Sequence, residues 1–315
     1  MSTPLKVTNR VPFDAQIGTD ISAATDVSDA LRIAGLDWGL IDMPSPTLAV
    51  FGEEGITNVT MPDRRLLVRD DTNVVLSTVG SRYVPLSNAE VYAVADHARN
   101  LGAKFSAAGE VSYGRQTFLT MEVPEAAVNV GGNDPITTKV VLRTSNDGGV
   151  AMASVSAMRK VCTNGMTIGV GTPQSWEIRH SASAAQRLQE AEHAMAGAMR
   201  YAKEFAARAE QLAATPMSTN EFDRFLADLH PRPDQERKAA HTRWENRRET
   251  LMSLWSESIT QEEGRRTRWG ALNSLVEYLD WYKPIRGGEE ARALRQLDDT
   301  NAAIRQRAYR LLQPA

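Results

Sequence analysis

The hydrophobic period of the chain changes near Ser181, and no single element can carry both periods. Before that point apolar residues come in short runs cut by polar turns, as in half-buried strands. After it, Leu188, Ala191, Met195, Ala198, Ala202, Phe205, Ala209 and Leu212 fall on alternating three- and four-residue steps. That is the seam of a long helix, and its alanines allow a neighbour to approach closely. The fold class that follows is α+β: a mostly antiparallel sheet with one or two packed helices, followed by an all-helical C-terminal region. The expected division is an N-terminal arm at 1–40, a sheet domain at 41–176 and a helical region at 177–315.

Local signals fill in the elements. Ser28 to Gly35 reads as a short helix ended by its glycine. Thr47–Phe51 is a short apolar run, and Arg65–Arg69 and Val74–Val79 flank a DDTN turn. Ser87 and Glu90 have capping-box spacing and open a helix over about 88–101. Strands are expected at Lys104–Ala108, Gln116–Val123, Thr138–Thr144 and Gly149–Val155. The last two are joined by SNDGG at 145–149, whose Asn, Asp and Gly tolerate positive φ. Beyond the seam, Ser218 and Glu221 open a helix to Leu229, and a charged helix runs over about 234–257. Two more helices follow: one on Trp269, Leu272, Val276 and Leu279, the other over about 289–312.

Composition narrows the functional classes. One cysteine in 315 residues excludes an internal disulfide and a cysteine-cluster zinc site. The N-terminal stretch lacks the basic-then-apolar pattern of a secretory signal, and no run approaches the roughly 18 apolar residues of a membrane span. The expectation is a protein of a reducing bacterial cytoplasm, with no membrane partner. Net charge is −3, which argues against a uniformly basic nucleic-acid coat. Charge is nevertheless uneven: residues 1–176 hold 14 Lys+Arg against 18 Asp+Glu, and 177–315 hold 22 against 21, of which 19 are arginine. Arginine suits bidentate contact with phosphate or carboxylate, although a GC-rich genome also enriches it.

The chain has no phosphate-loop, dinucleotide, zinc-protease or nucleophile-elbow motif. GVGTPQ at 169–174 has no following lysine and reads as a connection. Cys162 lies near Arg159 and Lys160, the setting of an activated thiol, but also suits a small buried hydrophobe. Five scattered histidines show no metal-ligand spacing. Glu277 and Asp280, with Asn273 one turn earlier, project from one helical side. They form a magnesium or acid–base pair, or a solvated face salt-bridged to arginines. No cofactor, metal or catalytic residue is assigned. The basic clusters are RRTRW at 265–269, RK at 159–160 and RH at 179–180. Cations neutralise phosphates and an aromatic stacks on a base, although Trp269 also fits the apolar face of its own helix.

SNDGG, MRKVCTNGM, EIRHSASAAQRL and TRWGALNSLVEYLDW occur in that order. As a set they resemble the phage/plasmid-like protein family, a family of unknown function (numbered domain 932). The matching positions are Ser145, Asp147 and Gly148; Arg159, Val161, Cys162 and Asn164; Arg179 and His180; and Trp269, Asn273, Glu277, Tyr278 and Asp280. Ser181 stands where that family usually has threonine, and Trp281 where it tends to have histidine. The resemblance covers roughly residues 45–312. It implies a mobile-element setting and a role in DNA replication, recombination or host takeover.

The outline is also similar to phage single-strand annealing proteins of the RecT/Redβ/Erf kind. On that analogy the expectation is a homo-oligomer that binds single-stranded DNA and promotes annealing and recombination without ATP. The contacts would come from Arg143, Ser145, Asn146, Arg159, Lys160, Asn164, Arg179, His180, Arg265, Arg266 and Arg268. The small residues at 148–157 would let a sugar-phosphate backbone approach, or simply let strands pack tightly. Two alternatives stand beside it. One is a nucleotide- or nucleic-acid-processing enzyme using Cys162, His180, Glu277 or Asp280. The other is a helical interaction module whose partner surface is the Leu188–Leu212 seam.

Overall fold

Thr138–Thr144 carries apolar residues on consecutive positions, and the fold explains why: both faces of its strand are buried. The computed structural model describes residues 11–44, 47–52, 55–149, 151–159, 164–166, 175–177, 184–234, 238–298 and 300–313. In chain order its N-terminal half comprises α1 (Phe13–Ile17), β1 (Gly18–Asp20), α2 (Val27–Ala34), β2 (Leu40–Met43), β3 (Thr47–Gly52), β4 (Gly55–Thr60), β5 (Arg64–Arg69), β6 (Val75–Gly80), α3 (Asn88–Tyr92), α4 (Val94–Asn100), β7 (Lys104–Val111), β8 (Gln116–Glu122), β9 (Val128–Val130), β10 (Asp134–Ser145), β11 (Met152–Arg159), β12 (Asn164–Met166) and β13 (Ser175–Glu177). The helices of the C-terminal half are α5 (Ala184–Ala213), α6 (Thr219–Leu229), α7 (Lys238–Glu257), α8 (Arg268–Glu277), α9 (Gly288–Leu297) and α10 (Ala302–Leu312).

The main sheet is antiparallel in the order β1-β7-β8-β10-β11-β12, with β9 added beside β10 and β13 beside β11. In register, Val140 lies between Met121 and Val155, and Val141 between Thr120 and Ser154. Val140, Met121 and Val155 enter the large core shared with α3, α4, α5 and α8. Val141, Phe118 and Met158 enter a smaller core on the opposite face, closed by Phe13 of α1 and by Ala293 and Leu297 of α9. A two-period pattern buried on both sides reads as a continuous apolar run. The SNDGG segment joins β10 to β11 as expected, with Gly148 at φ 94°. At the other edge, Gly18 crosses Gly109 so closely that a Cβ on Gly109 would meet the Gly18 Cα at 2.8 Å.

A second sheet, β2-β5-β6, is attached to the first through Arg69. Its guanidinium stacks 4.4 Å from the Trp38 ring centroid and pairs with Glu110 of β7 at 2.7 Å. The β3–β4 hairpin forms a separate two-stranded sheet.

Several local signals operate as read. Both capping boxes form, Ser87 with Glu90 and Ser218 with Glu221. The helix at 27–34 ends on Gly35 in the left-handed region. Two expected helices are each divided: 88–101 into α3 and α4 around Ala93, and 289–312 into α9 and α10. The region read as an N-terminal arm is folded over its described part, because Ile21, Ala30 and Leu36 are completely buried in the large core. The seam helix is likewise internal. Ala198, Tyr201, Ala202, Phe205, Ala209 and Leu212 are all buried in that core, and α5 packs against α4, α8 and the sheet. The described part of the seam is thus satisfied within the chain and offers no partner surface. Among the described residues, no helix is long and apolar enough to cross a membrane.

Candidate nucleic-acid interface

The arginines expected to contact phosphate are largely engaged with helix ends. Arg143, on β10, donates to the Leu297 carbonyl at 3.1 Å and to Asp298 at 2.9 Å, at the end of α9. Arg265 donates to the carbonyl of Ser256, in the last turn of α7, at 3.1 Å and to that of Ser258, just beyond it, at 3.2 Å. Arg268 donates to the Leu312 carbonyl at 3.0 Å. The carbonyls of Leu297, Ser256 and Leu312 stand at helix C-termini, where intrahelical donors run out and a guanidinium also meets the negative end of the dipole. Arg266 is exposed, and its φ of 58° lets its carbonyl accept from the Met217 amide at 2.8 Å.

The turn residues behave differently from one another. Ser145 donates its hydroxyl to Asp147. Asn146 does not present its amide on a surface: the side chain is buried and donates to the Gly114 carbonyl at 2.8 Å, satisfying a backbone group of the β7–β8 turn. Its backbone carbonyl accepts from the Ser77 hydroxyl of β6 at 2.6 Å, and this bond links the two sheets. Arg159 and Asn164 are paired through their backbones across β11 and β12. Lys160, Cys162, Arg179 and His180 lie outside the described residues.

Glu277 and Asp280 are buried at 0% and 1% exposure, so the solvated-face reading of this pair is corrected. Glu277 accepts from the Thr260 hydroxyl at 2.5 Å and the Gln261 amide at 2.8 Å. Asp280 lies in a π-helical turn over Tyr278–Tyr282 that extends α8. Arg305, also buried, approaches its carboxylate to 3.6 Å, and Arg292 and Gln296 donate to its carbonyl. Burial disfavours the charged form of Arg305, and Asp280 offsets this. Trp269 Nε1 donates to Asp134 at 2.9 Å and so fastens α8 to β10. Trp269 is accordingly core, with Phe205 edge-on at 6.0 Å. Among the described residues, no group of three or more His, Cys, Asp or Glu is arranged to hold a metal ion.

The concentration of positive charge lies elsewhere, where α6, α7 and the C-terminal helices meet. The His230 imidazole is pushed down to about 4, first by burial and then by Arg247, Arg307 and Lys283. Lys283 is itself held below the ordinary range for lysine, by burial and then by Arg295 and Arg247. Like charges act on one another here because the side chains converge. Trp244 stands beside them. Its Nε1 donates to the His230 carbonyl at 2.8 Å, and the Arg232 guanidinium lies 5.4 Å from its ring centroid. Part of the charge is balanced, since Arg248 pairs with Asp223 at 2.6 Å. Arg307 instead donates to a neutral acceptor, the Asp228 carbonyl, at 2.8 Å. The cavity between Leu226, His230, Trp244, Arg247, Arg248 and Leu251 is only about 10 Å³, room for about one water, so an occupant must lie across the surface.

A larger cleft of about 460 Å³ opens beside α1, β1 and β7. In its wall Lys139 donates to Asp14 at 2.5 Å and to Ser106 at 3.0 Å. Glu122 lies 3.8 Å from the same ammonium.

A family model described as a domain of unknown function, DUF932, matches residues 75–307. The chain belongs to the DUF932 family. No curated protein and no solved structure matches it. The matched segment contains the whole main sheet except β1, and every helix from α3 to α9. It also contains Trp244 and its surrounding cations, which the sequence reading missed. Their signal is present in the sequence as RWENRR at 243–248, where Trp244 and Arg248 stand one helical turn apart.

Proposed function

We propose that this DUF932 protein binds single-stranded DNA across the face formed by α6, α7 and the C-terminal helices, and promotes annealing and recombination without ATP. The observation that supports this reading most strongly is the grouping of Arg247, Arg307 and Lys283 about His230, beside Trp244, with Arg295 acting in turn on Lys283. Closely grouped cations repel one another, and a polyanion relieves that repulsion by neutralising them and releasing its counterions. Trp244 adds a flat ring for a base, and Arg232 adds a cation near that ring. The arginines engaged with helix ends, Arg143, Arg265 and Arg268, then support the face rather than form it.

The test is fluorescence anisotropy with a labelled single-stranded oligonucleotide over a salt series. With four or five phosphates neutralised, the slope of log affinity against log salt is about −3. Arg247→Glu combined with Arg307→Glu weakens binding at least about 10-fold and flattens that slope. Absent or salt-insensitive binding by the wild type refutes the reading.

A second reading, a nucleotide-processing enzyme, draws on the buried polar centre. There Asn273 Oδ1 and Gln261 Oε1 find no hydrogen-bond donor near Glu277. A melting temperature raised by a nucleotide with Mg²⁺, and not by either alone, would favour it.

A further inference from the structure

The β3–β4 hairpin is a two-stranded ribbon on which, among the described residues, no other element packs appreciably. The register places Phe51 opposite Ile56 and Leu48 opposite Val59. Side chains alternate across a strand, so Phe51 and Ile56 project from one face and Val50 and Val59 from the other. All four are exposed, Phe51 at 80% and Ile56 at 66%. At the foot of the ribbon Ile41 and Met43 on β2, Met61 and Val75 are exposed as well. An isolated hairpin is marginal in water, and a contiguous exposed apolar surface marks a site of interaction.

We propose that two copies of this chain exchange these hairpins, each arm enclosed on both faces by the foot and arm of its partner. The charge of the arm excludes nucleic acid as its occupant, because Thr47–Thr60 contains two glutamates and no lysine or arginine. The area selects the mode of association. Strands of six residues give a ribbon about 20 Å long and 10 Å wide, hence about 200 Å² per face. One face stacked on one face buries about 400 Å² in total, well short of a stable interface. Reciprocal enclosure stacks foot on arm, arm on arm and arm on foot, and each of these three contacts buries about 400 Å². Together they bury about 1,200 Å², the lower end of the range for a specific interface. The contact is isologous, arm to foot and foot to arm, and so closes at two copies.

The inference is independent of DNA binding, and the same samples keep the two apart. Sedimentation velocity on the wild-type protein from nanomolar to tens of micromolar gives a dimer. Phe51→Asp with Ile56→Asp, and separately Val50→Asp with Val59→Asp, each give a monomer with an unchanged circular dichroism spectrum. Both pairs lie on exposed positions, so neither disturbs the core. A wild type that stays monomeric throughout the range overturns the proposal. So does a dimer that survives either pair of substitutions, since enclosure requires both faces. Anisotropy measured on the monomeric variants reports the DNA-binding reading separately.

Discussion

Lys139→Met is the perturbation whose cost can be worked most directly. Lys139 and Asp14 pair at 2.5 Å with side chains 6% and 1% exposed. Asp14 accepts one further bond through the same oxygen, from Thr120 at 2.8 Å, and its other oxygen is buried without a partner. Removing the ammonium strands a buried carboxylate, which costs about 3–5 kcal/mol. Protonation of the stranded group limits the loss, and neutralising an ordinary carboxyl at pH 7 costs about 4 kcal/mol, so the two routes agree. In a chain of this size 1 kcal/mol moves the melting temperature by about 2 °C, giving a fall of about 6–10 °C. The double variant Asp14→Asn/Lys139→Met removes both charges and recovers most of that loss. Calorimetry of the wild type, both single variants and the double variant provides the assay. A double variant no more stable than Lys139→Met would refute the reasoning.

Three further outcomes follow from the structure. His230 has a folded value of about 4 against an ordinary 6.5, so its contribution is fully present above 6.5 and is lost as pH falls from 6.5 toward 4. The shift corresponds to about 3 kcal/mol, reduced to about 1–2 by solvent around a half-buried ring; His230→Gln should flatten the fall of melting temperature over that window. Arg268→Ala removes the donor to the Leu312 carbonyl and should lower the melting temperature by about 2 °C while leaving oligonucleotide affinity within about two-fold; a 10-fold loss of affinity with unchanged stability would restore Arg268 to the interface. Trp244→Ala should cost about 1–3 kcal/mol of single-strand affinity, measured by anisotropy, and an unchanged affinity would remove Trp244 from the proposed face.

The period change near Ser181, the two capping boxes and the SNDGG turn were all legible because each is a short-range signal. The elements that were not legible depend on partners far along the chain. β1 has three residues and exists because Gly18 meets Gly109. The buried state of Glu277 and Asp280 could not be read from their helical spacing, which is the same for a solvated face. It depends on Thr260 and Gln261 arriving from one side and Arg305 from the other. The basic face is hidden for the same reason: Arg247, Lys283 and Arg307 come from three separate segments and meet only after α6, α7 and α10 have packed.

The residues that carry the family resemblance in the last motif are also the ones the fold hides. Trp269 holds Asp134, Glu277 holds Thr260 and Gln261, and Asp280 faces Arg305, all at 7% exposure or less. Such positions are demanding because a buried polar group without its partner costs about 1–3 kcal/mol, and more when charged. Trp244, Arg247, Lys283 and Arg295 are only half-buried, Arg307 is exposed, and none of them belongs to that motif. A pattern built on Trp269, Asn273, Glu277 and Asp280 therefore reports how the helices are fastened to the sheet, which is shared by any chain that folds this way. The surface proposed to bind DNA, between α6, α7 and α10, lies outside that pattern, so the motif and the proposed face answer to separate constraints.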